Sequence, residues 1–276
     1  MSYKYNLPML ESPRLLSIYP YVKTSSTGLG NLLFPFFRSI LSSIYEQKLC
    51  LYPFSSSLPT LHSFSHKSVP RAYSQSFLRF SDLYLSRAKS ACIYYLNNKS
   101  SEALFSDTSI KIFDGMRDRF TGIIQHRNLV RTLFCDRFLE PLIINADVAF
   151  HVRLGDFIRT KQATNPELLS QSINFFAKNS SCIIYSDSSP EILVTYFSIS
   201  HAAMQNLIFY PIDKCPLDTL WNLSNHSILV GNPLSSFFCW AVFLSSRNTV
   251  SFSLGLPPPA DSPHHFSDIT FDHFFT

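Results

Sequence analysis

The sequence predicts an α/β fold in which a parallel sheet is covered by helices on both faces, and three observations lead there. Short apolar runs alternate with helical patterns through the second half of the chain. Helix-start signals, a capping residue followed by Pro and an acidic residue, come directly after two of those runs. The first of the runs has the apolar character of strands buried on both faces.

In chain order, "TGLGNLLFPFFRSILSSIY" is a glycine loop opening an amphipathic helix, and Pro35 within it requires a place in the first turn or a kink. Residues 52–73, with three prolines and many serines, read as an extended surface loop. Residues 143–152 have the character of a buried parallel strand. "NPELLSQSINFFAK" then opens a helix with Asn165 as cap, Pro166 in the first turn and Glu167 beside it. "SCIIYSD" is a second strand, and Ser189, Pro190 and Glu191 repeat the start signal. "NLIFYPI" is a third strand, followed by a helix over 216–225. "SILVGN" is a fourth, followed by an apolar helix over 236–245. The Pro-rich "GLPPPADSP" must be non-helical. In open sheets of this kind ligands bind beyond the carboxyl ends of the strands. Chemistry is therefore expected in "RLGDFIR", "YSDSS" and "VGNPLSS".

Composition narrows the function classes. The chain has 276 residues, 46% apolar and 15% aromatic, which describes a folded protein able to bury a full core. Its formal charge of +4 comes from 23 basic and 19 acidic residues with no run of five basics, so nucleic acid is not an expected partner. The six cysteines form no metal-ligand spacing, and most read as small buried hydrophobes. The N-terminal "MSYKYNLPMLESPRLL" lacks a sustained apolar stretch, and no segment approaches the roughly 20 apolar residues of a membrane span. The expectation is a cytoplasmic chain without a transmembrane span, with peripheral membrane contact left open.

Glycine points to the loops that matter. Only seven occur, far below the usual share of about 7%. Four of them, Gly28, Gly30, Gly155 and Gly231, fall in strand-end or pre-helix loops beside polar residues. The loop with Gly28, Gly30 and Asn31 either makes a tight turn or offers backbone N–H groups to a phosphate or sugar hydroxyl. In "HVRLGDF", Arg153 either forms an ordinary ion pair or presents its planar fork to a phosphate, with Asp156 orienting it or a substrate hydroxyl. His151 is either a packed structural group or a general acid or base. Asp187 either shapes a turn or accepts hydrogen bonds from a purine base or ribose. Ser235 and Ser236 precede an apolar helix, where capping and phosphate binding occupy the same place.

Together and in order, these pieces resemble the glycosyltransferase family 11 fucosyltransferases, the α-1,2-fucosyltransferase group. That group has a G-G-L-G-N-Q-x-F loop, read here as "TGLGNLLF", and an H-V-R-R-G-D-Y, read here as "HVRLGDF". Its F-S-D-D strand corresponds to "IYSDSS", and its N-S-S-F-S-W-W-A-A-W-L to "NPLSSFFCWAVFL". "DTLWNLSNHSILVGN" also matches, with His226 and Asn232 in register. The resemblance spans residues 25–247. Departures are Thr27, Leu32, Leu154, Ser188, Phe238 and Cys239. Leu154 replaces the second arginine of the basic pair, so restoring Arg there is expected to raise donor affinity if the pocket keeps the family's shape.

The resemblance implies a GT-B fold of two Rossmann-like domains, an acceptor-side domain over 1–140 and a nucleotide-sugar-binding domain over 141–276. It implies GDP-fucose as donor, a glycan acceptor, inversion at the anomeric carbon and no metal or other cofactor. The absence of an Asp-x-Asp pair agrees with the last point. In that frame Arg153, Asp156 and His151 are the catalytic candidates. Gly28, Gly30, Asn31, Arg153, Asp187, Asn232, Ser235 and Ser236 are the donor-binding candidates. Two rival readings are a transferase using another nucleotide sugar and a degenerate, non-catalytic module that binds nucleotide or glycan.

Overall fold

The computed structural model describes residues 5–9, 28–51, 79–86, 89–90, 110–114, 118–138, 146–154, 165–212, 214–246, 248–255, 258–263 and 270–273. The predicted loop at 52–73, together with Gly155 and Asp156, lies outside them. The chain divides into two compact units, Met1–His126 and Arg127–Thr276.

In the first unit, strand β1 (Tyr5–Met9) lies between β2 (Leu49–Cys50) and β3 (Ile110–Asp114), all parallel. Helix α1 (Leu29–Glu46) connects β1 to β2. It is buried nearly all round its first three turns, from Leu29 to Ile40, because its FPFF run packs aromatic on aromatic. Phe34 meets Phe120 edge to face at 4.8 Å, and Phe36 and Phe37 both meet Phe80. Pro35 lies inside this helix, beyond the first turn, where its missing N–H leaves the Asn31 carbonyl without its usual i+4 donor. The helix ends at Gln47 in the left-handed region, φ 53°.

The second unit begins with α2 (Arg127–Cys135). The Arg127 guanidinium, 6% exposed, donates from Nε to the Phe243 carbonyl at 2.6 Å and from Nη2 to the Ser245 carbonyl at 2.8 Å. These bonds cap the C-terminal carbonyls of a later helix and place α2 with the second unit. The division thus falls N-terminal to the 140/141 boundary expected from sequence.

The sheet of this unit comprises β4 (Val148–Val152), β5 (Cys182–Ser186), β6 (Leu207–Phe209), β7 (Ile228–Gly231), β8 (Val250–Ser253) and β9 (Thr270–His273). All neighbours are parallel, in the order β6-β5-β4-β7-β8-β9. Between the strands run α3 (Pro166–Ala177), α4 (Pro190–Tyr196), α5 (His201–Met204), α6 (Pro216–Ser224) and α7 (Ser236–Leu244). Asn165 caps α3 as predicted, its Oδ1 accepting from the Glu167 and Leu168 N–H groups.

Side chains of the central strands divide by the strand period of two. Val148, Phe150, Val152, Cys182, Ile184 and Val230 join Leu169 and Ile173 of α3, Leu193 of α4 and Ala203 of α5 in one apolar core. On the other face His151 stacks on α7 and Tyr185 reaches His226. Helix α7 is buried continuously from Phe238 to Leu244, and small residues on the strands, Ala149, Gly231, Ser251 and Ser253, are buried with it.

Candidate functional site

Numbered within its own unit, the six-stranded sheet has the order 3-2-1-4-5-6, so the chain turns from building leftward to building rightward between β4 and β7. Helices α3 and α7, which come after these two strands, pack on opposite faces of the sheet, and the carboxyl ends of such a strand pair are where doubly wound sheets take their ligands. Arg153 follows β4 directly; Asn232, Ser235 and Ser236 follow β7. Asp187 follows β5, the neighbour of β4 on its other side. The second unit therefore gathers five of the sequence-predicted residues along one sheet edge.

Local chemistry sets each of them. The Leu154 N–H donates to Asp187 Oδ1 at 3.0 Å, which ties the loop after β4 to the loop after β5. Asn232, 3% exposed, accepts the Leu234 N–H at Oδ1 (2.9 Å) and the Ser235 N–H at its carbonyl (3.0 Å), a compact turn that aims the chain into α7. Ser235, fully buried, caps α7, its Oγ accepting from the Phe238 N–H at 3.5 Å. Ser236 is the first helical residue and is partly exposed. The remaining N–H groups of a helix's first turn have no intrahelical partner and carry the positive end of the dipole, so this end can receive an anion.

Gly231 explains how α7 comes so close. A Cβ there would stand 2.7 Å from the Phe238 ring, well inside contact distance. Phe238 and Phe237 in turn stack on the His151 ring at centroid distances of 6.0 and 5.3 Å. His151 is 9% exposed and its Nδ1 has no hydrogen-bond partner. Burial, helped by the positive charge of Arg153, pushes its pKa down to about 3. At neutral pH it is an uncharged ring stacked on α7.

Leu154 corrects an expectation. It is 3% exposed and belongs to the apolar core, so no vacant place for a second guanidinium exists at this position. His226, in register with the family motif, is also structural in its contacts. Its Nδ1 bonds the Ala146 carbonyl at 2.9 Å and its Nε2 the Tyr185 hydroxyl at 2.8 Å. The stack on His151, the tie from Leu154 to Asp187 and the packing role of Gly231 were not predicted. An uncommon glycine seven residues before a Phe was the only available signal for the last.

Asp156 lies outside the described residues, and Gly28, Gly30 and Asn31 belong to the first unit. There the Gly28 carbonyl accepts from the Asn31 N–H at 3.0 Å, and Gly28 caps α1 without a side chain. Among the described residues no group of three or more His, Cys, Asp or Glu could hold a metal ion, and no helix is long and apolar enough to cross a membrane.

No family model and no curated protein matches this chain. Among solved structures it is similar to NodZ α-1,6-fucosyltransferase co-crystallized with GDP, at 11% identity and a TM-score of 0.40 over 89% of this chain and 93% of that one. The same enzyme soaked with GDP-fucose gives 12% and 0.41 over 88% and 93%. POFUT1 in complex with GDP gives 11% and 0.39 over 97% of both chains. The likeness is too weak to assign a fold family or an activity, and both rest on this chain's own residues.

Proposed function

We propose that this chain is a glycosyltransferase of GT-B type that transfers fucose from GDP-fucose to a glycan hydroxyl with inversion and without a metal. One observation carries the reading: the reversal of strand order between β4 and β7 is flanked by Arg153, the Asn232 turn and the N-terminus of α7. A cation with a bidentate fork and a helix N-terminus on opposite sides of one crevice suit a diphosphate. They also suit the charge that develops on it as the glycosidic bond breaks.

In this reading Arg153 and the first-turn amides of α7 receive the diphosphate, with Ser236 assisting. Asp187 accepts from the ribose or base, which is where the acidic residue after the second strand stands in dinucleotide-binding sheets. Asp156 remains the candidate to take the acceptor proton. His151 keeps Arg153 and α7 in position as a neutral packing group. The acceptor-side role of residues 1–140, the glycine-loop contacts of Gly28, Gly30 and Asn31 with phosphate or sugar, and a cytoplasmic location belong to the same proposal.

Calorimetric titration with GDP, GDP-fucose and other nucleotide sugars, followed by a hydrolysis assay on whichever donor binds, tests it. GDP-fucose binding with slow hydrolysis is expected. Preference for another donor moves the activity to that sugar, binding without turnover marks a non-catalytic module, and no nucleotide binding removes the proposal.

A further inference from the structure

Away from the strand ends, α3, the last residue of α4 and the segment after it line an open groove of about 230 Å³, formed by Pro166, Glu167, Ser170, Gln171, Tyr196 and Ser198. Its floor is built. Ser170 Oγ donates to the Ser198 carbonyl at 3.0 Å, and Asn174 holds the same turn twice, donating to the Ser198 carbonyl at 3.5 Å and accepting the Ser200 N–H at 3.0 Å. The Tyr196 ring, 38% exposed, is held edge to face against the buried Phe197 at 4.9 Å. A partly exposed aromatic side chain therefore stands beside a hydrogen-bonded polar turn.

We infer that this groove is a binding subsite for one ring of a neutral saccharide, separate from the nucleotide crevice and not dependent on it. Size decides first: the groove is below the roughly 300–1,000 Å³ of pockets that bury a drug-sized ligand, too small for a nucleotide but able to seat one sugar ring. Chemistry decides next. An aromatic ring and a proline offer apolar faces to the C–H side of a pyranose. A carboxylate acceptor, a carboxamide with both donor and acceptor, and a serine hydroxyl meet its ring of hydroxyls. Among the described residues the only formal charge lining the groove is that of Glu167, which disfavours phosphates and acidic sugars.

The test is saturation-transfer NMR on the full chain with galactose, N-acetylglucosamine and lactose at millimolar concentration, without nucleotide. Weak binding, with a Kd on the order of 1 mM, is expected for at least one of them. Tyr196→Ala and Gln171→Ala should each raise that Kd about tenfold, the effect of losing one stacking face or one hydrogen-bonding group. Tyr196→Phe should keep binding, and so should Arg153→Ala, which the nucleotide proposal requires to lose GDP. Thermal melts of the variants confirm folding. No transfer from any of the sugars overturns the inference, as does transfer undiminished in folded Tyr196→Ala, or tighter binding of an anionic sugar. Because GDP is titrated separately, failure here and failure of the donor proposal are read from different experiments.

Discussion

Asp187 Oδ1 accepts from the Leu154 N–H, and in the proposed function its carboxylate also receives the ribose or base. The two roles separate by substitution. Asp187→Asn keeps an acceptor for Leu154 and should leave the melting temperature nearly unchanged, yet weaken GDP binding by about 1.5–3 kcal/mol, the scale of a hydrogen bond to a charged group. Asp187→Ala should lose both. Equal GDP affinity in wild type and Asn variant would return Asp187 to a purely structural role. Arg153 is tested by turnover: Arg153→Lys keeps the charge but not the bidentate fork, and should fall nearly as far as Arg153→Ala, about 10²–10³. Leu154→Arg should not gain affinity but lose at least about 2 kcal/mol of stability, because it forces a charge into the apolar core.

His151 makes a pH prediction with a definite sign. Its pKa is about 3 in the fold against 6.5 unfolded, so below pH 6.5 the unfolded chain binds the extra proton. Stability should be at its plateau above pH 6.5 and fall by about 2 kcal/mol by pH 5, at about 1.4 kcal/mol per pH unit. His226, whose pKa burial also lowers, adds in the same direction. Denaturant melts between pH 7.5 and 5 measure the slope, and His151→Phe should reduce it, leaving the part due to His226.

At the scale of elements, α7 is the part most constrained by its neighbours. Its N-terminus is capped by Ser235, its C-terminal carbonyls by Arg127, and its closeness to β7 by Gly231. Gly231→Ala requires the Phe238 ring to move, and that ring is itself stacked on His151. A destabilisation of about 1–3 kcal/mol is expected, with weakened GDP binding because the N-terminus of α7 shifts with the ring. A melt and a titration on one sample decide it. In the first unit Gln47 ends α1 at φ 53° with an exposed side chain, so Gln47→Gly should raise stability by about 0.5–1 kcal/mol.

For the whole molecule, a ligand that binds only the folded state raises its stability by mass action. GDP at a hundredfold excess over its Kd should add about 2.7 kcal/mol, and saturating EDTA should leave both this shift and any transfer activity intact. Loss of activity in EDTA with rescue by manganese would replace the metal-free donor site with a metal-bridged one.

Much of the second unit is legible in the chain itself. The start signals at Asn165 and Ser189, the helix read over 216–225 and the apolar runs of β5, β6 and β7 mark those elements to within a few residues, because caps and buried runs are local properties. Strands β1, β3, β8 and β9 escape for reasons equally local. β1 contains Pro8, tolerated because β2 pairs only with Tyr5 and Asn6, so the end of β1 has a neighbour on one side alone. β8 reads "VSFS", and it is its serines that are buried. The sequence by itself determined which polar residues stand after which strand, and hence that Arg153, Asp187, Asn232, Ser235 and Ser236 are strand-end residues. Only the tertiary structure decided that β4 and β7 are neighbours, that Leu154 turns into the core and that His151 is an uncharged wedge. Those facts depend on pairings between segments about 80 residues apart, which no local periodicity records.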